Sequence, residues 1–136
     1  MIIGVPKEIK NNEYRVGLTP SLVNSLCKQG HTVLVQSKAG TQIGFGNLAY
    51  QDAGAEISDS AKDIFARADM IVKVKEPQAG ECALLREDQV LFTFLHLAPD
   101  PEQTKALINS KAVCIAYETV TSAHGTLPLL APMSEV

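Results

Sequence analysis

The chain predicts a doubly wound α/β domain, a mostly parallel sheet with helices on both faces. Strand-like and helix-like segments alternate from the first residues onward, the order that builds βαβ units. Three apolar runs begin at Met70, Val90 and Val113 and recur roughly twenty residues apart, room for one strand, one helix and two loops. Each run ends in a polar, reactive side chain: Lys75, His96 and Glu118. Right-handed crossovers between such strands place helices on both faces of one sheet.

The elements follow in order. Met1 to Val5 reads as a short buried strand. Thr19-Pro20 is an N-cap followed by proline at the first helical position, where a missing N–H costs nothing. Leu22, Val23, Leu26 and Cys27 fall on one face of that helix, and Gly30 closes it. His31 to Val35, rich in β-branched residues, is the second strand. Gly40 to Gly46 is a glycine-rich loop, Asn47 is a candidate cap for a short helix running to Gly54, and Ala55 to Ile57 is a minor strand. Ala61, Ile64, Phe65 and Ala68 recur at helical spacing and predict an amphipathic helix.

A strand to Val74 follows, stopped by Pro77. Ala83 to Arg86 predicts a helical turn ahead of the strand from Val90. Asp100-Pro101-Glu102 is a second cap with proline at its first helical position, opening a helix expected to pack through Leu107 and Ile108. A strand from Ala112 comes next. Ala131 to Val136 reads as another helix start, and one turn does not stabilise itself. The chain is therefore expected to be cut at a domain boundary.

At 136 residues, 46% hydrophobic and 20% charged, the sequence fits one soluble globular domain. A net charge of −3 gives no electrostatic reason to expect nucleic acid or an anionic membrane. No apolar run approaches the ~18 residues of a membrane span. The first residues lack the basic region and long apolar core of a signal peptide, so a cytoplasmic location is the expectation. Cys27, Cys82 and Cys114 are odd in number and scattered, which supports reduced thiols and neither a zinc site nor a disulfide framework. His31 and His124 form no metal-ligand spacing with His96, so no metal is expected.

Ligands of open parallel sheets bind in the crevice beyond the carboxyl ends of the strands. Lys75, His96 and Glu118 are expected to converge there. A strand-end lysine is often only solvated and a lone histidine only structural; their position at consecutive strand ends is what favours a shared site, with Glu118 in a supporting place. Alternation puts Lys73 on the same face as Lys75. Arg15, in the loop after the first strand, shares that edge, and a guanidinium holds a carboxylate through two parallel hydrogen bonds. Gly44 to Ala49 matches the loose pattern G-x-G-x-x-A, but it does not leave a strand directly and no acid ends the next strand. A turn is the expectation.

The opening Ile-Gly-Val-Pro-Lys-Glu-Ile-Lys-Asn-Asn-Glu-Tyr-Arg-Val-Gly-Leu-Thr-Pro resembles the start of the alanine dehydrogenases. So do Ile-Val-Lys-Val-Lys-Glu-Pro, Thr-Phe-Leu-His-Leu-Ala-Pro-Asp and Ala-Tyr-Glu-Thr-Val, in the same order along the chain. That family oxidises L-alanine to pyruvate and ammonia with NAD. The resemblance implies that Arg15 clamps the substrate carboxylate and that Lys75 holds the substrate near its carboxylate and carbonyl oxygen. It makes His96 the acid/base, a role suited to a side chain that titrates near neutrality. Ser134 would contact the cofactor at its pyrophosphate, and Met133 would wall the pocket.

Members of the family are far longer and commonly hexameric, with a glycine-rich cofactor domain beyond the position where this chain stops. Residues 1–136 are thus expected to be the N-terminal substrate domain of a homo-oligomer, with NAD bound mainly by another domain and no turnover by this part alone. One rival is the α subunit of a proton-translocating transhydrogenase, whose relatives carry Trp and Asp where His96 and Glu118 stand; this chain has no Trp. Saccharopine dehydrogenase is more distant. A non-enzymatic α/β binding module such as a receiver domain needs an acidic cluster after the first strand, where Lys7-Glu8 stands instead.

Overall fold

Six strands pair in parallel throughout, in the order β3-β2-β1-β4-β5-β6. They are β1 (Ile2–Val5), β2 (Thr32–Gln36), β3 (Glu56–Ser58), β4 (Met70–Val72), β5 (Val90–Thr93) and β6 (Val113–Ala116). The helices are α1 (Pro20–Lys28), α2 (Asn47–Asp52), α3 (Ala61–Arg67), α4 (Ala79–Cys82) and α5 (Pro101–Ser110). This computed structural model describes residues 1–95, 97 and 100–119. His96, Met133 and Ser134 lie outside the described residues.

The doubly wound expectation holds, because the sheet buries both faces. The register aligns Ile3 with Val33 and Met70, so strand residues sort into two sets. One set, with Ile3, Val5, Val33, Val35 and Val72, packs against Val23 of α1 and Tyr50 of α2. The other, with Leu34, Ile71 and Leu91, packs against Ile64 and Phe65 of α3, Cys82 of α4 and Leu107 of α5. Gly4 lets α3 lie directly on β1, since a Cβ there would sit 2.6 Å from Ile64 Cγ2.

Local signals set most boundaries. Thr19 Oγ1 accepts the Leu22 N–H, and Pro20 opens α1. At the far end Gly30 takes φ 92° while His31 N–H reaches the Leu26 carbonyl, the left-handed closure of a Schellman motif. Ser60 and Asp100 cap α3 and α5 through Asp63 N–H and Gln103 N–H.

Several expectations are corrected, beginning with the strand expected to reach Val74, which ends at Val72. Gly46, not Asn47, is the cap residue of α2; the Asn47 side chain instead bonds Lys38 N–H and Ser37 Oγ, closing the loop behind it. The helical turn expected at Ala83 to Arg86 begins earlier, as α4, because Gln78 and Glu81 form a capping box. Ile108 is 71% exposed, and α5 packs through Gln103 and Leu107; helical rotation from Leu107 carries the next residue off the buried stripe. The strand from Val90 ends at Thr93, two residues short of Leu95.

Candidate active site at the carboxyl edge of the sheet

After β1 the chain crosses the carboxyl edge before entering α1. Gly17 presses on β4: a Cβ there would lie 2.5 Å from the Val72 carbonyl oxygen. The end of this loop is tied down by Tyr50, whose hydroxyl donates to the Leu18 carbonyl at 2.8 Å. The segment carrying Arg15 is thereby held close to the end of β4.

Lys73 does not share the fate of Lys75. Its N–H is the last to join β5, donating to the Phe92 carbonyl at 3.1 Å. Its ammonium is buried between Glu8 Oε1 at 3.0 Å and Glu81 Oε2 at 3.1 Å. These three side chains are only 1–6% exposed, and a desolvated cluster persists only where its members pair and hydrogen-bond one another. Burial pushes the Glu8 carboxyl up, against the pull of Lys73. Strand alternation predicts a shared face for the two lysines; it fails because the ladder stops at Lys73 and the chain turns.

Beyond that turn, Glu8 takes the place of a neighbouring strand. Its Oε2 accepts the Val74 N–H at 3.2 Å and its Oε1 the Lys75 N–H at 3.1 Å. The Lys75 side chain leaves toward the edge, half-buried, with its ammonium 4.9 Å from the Phe94 ring centroid, within cation–π range.

Arg15 is half-exposed and gripped by Glu13. Nε donates to Glu13 Oε2 at 2.9 Å, Nη2 donates to Oε1 at 2.7 Å, and the Arg15 backbone N–H adds a third bond at 3.1 Å. The Arg15 guanidinium, with a smaller contribution from Lys75, holds the Glu13 carboxyl below its ordinary value. Arg15 and Lys75, far apart in sequence, therefore act on one carboxylate. Glu13 uses one side of the guanidinium, and the Nη1–Nη2 edge keeps donors for a second carboxylate.

Glu118 sits in the 3-10 turn Tyr117–Thr119 after β6 and accepts the Leu95 N–H on both carboxylate oxygens, at 3.2 and 3.1 Å. It braces the end of the β5 segment. Tyr117 sets its ring 5.4 Å from that of Phe92 at a tilt of 58° and donates its hydroxyl to the Val74 carbonyl. Burial pushes the Tyr117 phenol up to about 12, so it remains a donor at ordinary pH.

The edge thus unites Arg15 and Lys75, with Glu118 bracing the neighbouring strand end. Glu8, Glu13, Glu81, Thr93 and Tyr117 were not legible as part of it. One signal existed: Lys73 inside an apolar run demands a buried counter-charge.

Dinucleotide sites on sheets of this strand order need a glycine turn after the first strand and an acid ending the second. Here the first loop carries Lys7, Glu8, Glu13 and Arg15. β2 ends in Gln36, whose Oε1 already accepts the Lys7 N–H at 2.8 Å. Gly44 and Gly46 end a 3-10 turn and precede α2, one further turn rather than a strand-to-helix cradle. These residues do not fit the phosphates and ribose of NAD.

Fold and edge together define a doubly wound α/β domain with charged side chains gathered at the carboxyl edge of its sheet. The chain belongs to the alanine dehydrogenase/PNT N-terminal domain family, whose description matches residues 4–136. It is 55% identical to an alanine dehydrogenase of Bacillus subtilis over the whole chain, which is 35% of that relative. A solved L-alanine dehydrogenase superposes with TM-score 0.95 at 52% identity, covering 98% of this chain and 37% of that one. A transhydrogenase from Sinorhizobium meliloti follows at TM-score 0.81 and 29% identity, over 87% of this chain and 35% of that one. The chain spans little more than a third of the length of the curated relatives it matches.

Proposed function

We propose that this chain is the substrate-binding part of an NAD-dependent alanine dehydrogenase, which converts L-alanine, NAD and water to pyruvate, ammonia and NADH. The observation that carries this reading is Arg15 at the carboxyl edge, held by Glu13 on one side of its guanidinium with its other edge open, in the loop that Gly17 presses onto the end of β4, the strand that runs on to Lys75. The open edge of the guanidinium takes the substrate carboxylate through parallel hydrogen bonds. Lys75 places a cation at the carbonyl oxygen, where charge develops as the α-carbon changes oxidation state. His96 is the acid/base of the amine and water steps, and Glu118 steadies the chain beside it. Met133 walls the pocket, and Ser134 meets the cofactor.

NAD supplies the hydride acceptor and is held mainly by a domain other than residues 1–136. The first-loop and β2-end residues described above support that division, because they do not fit a dinucleotide. The working protein is a homo-oligomer in which this domain is the substrate half.

Alanine-dependent NADH formation tests the division of labour. The isolated chain is expected to give none, and turnover by it alone would refute the assignment of NAD to another domain. In the complete enzyme, Arg15→Ala removes a charged hydrogen-bond pair worth about 1.5–3 kcal/mol, so the pyruvate KM should rise by about tenfold to a hundredfold. An unchanged KM would end the carboxylate assignment. Activity between NADPH and an NAD analogue, without dependence on alanine, would favour the transhydrogenase reading instead.

A further inference from the structure

The two residues Val74 and Lys75, in the bend just past the end of β4, have their four backbone polar groups bonded to side chains. Both N–H groups go to the two oxygens of Glu8, at 3.2 and 3.1 Å. The Lys75 carbonyl accepts from Thr93 Oγ1 at 2.7 Å. The Val74 carbonyl accepts from the Tyr117 hydroxyl. The three side chains come from three places along the edge: the loop after β1, the last residue of β5 and the turn after β6. Thr93 is fully buried, and a hydroxyl in such a place needs a partner.

A lysine side chain is long and loses much rotamer freedom when fixed. Anchoring its own peptide groups from three directions fixes the root of the chain, and the Phe94 ring guides its charged end. We propose that Thr93 and Tyr117 are positioning residues that hold the Val74-Lys75 backbone, with Glu8, so that the Lys75 ammonium meets the substrate oxygen. This rests on the reading of Lys75 as a substrate ligand. Neither residue touches the substrate; each acts through Lys75.

Two near-isosteric variants of the complete enzyme test it: Thr93→Val and Tyr117→Phe. Thr93→Val removes a donating hydroxyl and little else; Tyr117→Phe removes the donor to Val74 and also the acceptor of the Phe94 N–H, so Thr93→Val is the cleaner of the two. Each should lower kcat/KM for pyruvate about tenfold, the scale expected when a reacting group is misplaced by a fraction of an ångström, with the KM for NADH unchanged. Thr93→Ser keeps the hydroxyl and should restore most of the activity. In a Lys75→Met background the two variants should have no further effect, because the residue they serve is gone.

Equal losses in both backgrounds, or no loss beside an intact Lys75, would overturn the proposal while leaving Lys75 as a ligand. An unchanged kcat/KM in Lys75→Met itself would sink the substrate assignment of Lys75 and this proposal with it. Thermal unfolding of every variant separates misfolding from misplacement; should Thr93→Val not fold, Tyr117→Phe carries the same cycle.

Discussion

Two charge clusters stand on the same edge of the sheet and use charge in opposite ways. Around Lys73, two carboxylates and one ammonium are almost wholly buried. Around Arg15, one carboxylate faces a guanidinium whose side chain is 36% exposed. The first cluster spends its hydrogen bonds on the protein, fixing the loop after β1 to the end of β4 and to α4. The second keeps donors in reserve. Burial turns an ion pair into a fastener, and partial exposure leaves it able to exchange a partner for a ligand. The two glutamates report the same contrast: Glu8 is pushed up by burial, whereas Glu13 is held down by Arg15.

The largest expected effect breaks the buried cluster. Lys73→Met leaves two carboxylates without their cation and should cost about 3–5 kcal/mol in urea unfolding. A loss below about 1 kcal/mol would mean that the cluster is solvated and the contrast false. Next comes the contact that brings the two clusters together. Gly17→Ala forces a Cβ onto the Val72 carbonyl and should cost about 1–3 kcal/mol by the same measurement. Gly46→Ala, where an added Cβ meets nothing within 4 Å, is the control and should be far milder.

Arg15→Ala should cost less stability than Lys73→Met, because the Arg15 side chain is 36% exposed although Glu13 is only 6% exposed, while weakening pyruvate as described above. A larger loss of stability than of binding would show that Arg15 fastens rather than binds. The smallest effect is in pH dependence. The folded Glu13 carboxyl lies below its ordinary value of 4.5, so the stability it gives is present above that pH and is lost as the pH falls through the depressed value. Glu13→Gln should flatten this part of the acid limb of melting temperature against pH, and an unchanged limb would show that the pair adds nothing. Glu8 has the opposite sign: its contribution is present below 4.5 and fades as pH rises through its raised value.

The order of elements was legible because periodicity and caps are local. Thr19-Pro20 and Asp100-Pro101 mark helix starts, and Gly30 marks a stop, through bonds spanning a few residues. The misplacements share a cause. Asn47 looks like a cap but serves the preceding loop, and Ala83 to Arg86 looks helical until the capping box of Gln78 and Glu81 is taken into account. Of the candidate site, Arg15, Lys75 and Glu118 were visible as reactive side chains at strand ends. Their partners were not: Glu13 lies beside Arg15 in sequence but looks like a solvated charge, and Glu8, Thr93 and Tyr117 reach Val74-Lys75 from distant parts of the chain.

The sequence alone determined an alternating α/β chain, its kinship through four ordered motifs, and the reactive residue types at the strand ends. These follow from patterns of neighbours, which hydrophobic periodicity and capping chemistry fix without reference to the rest of the molecule. Tertiary structure decided which of two lysines, two residues apart, is buried and which reaches the edge. It also decided that Glu13 occupies one side of Arg15 and that three separate segments hold Lys75. The reason is physical: a charge is fastened or available according to the solvent and the partners around it, and those come from residues that only folding brings near.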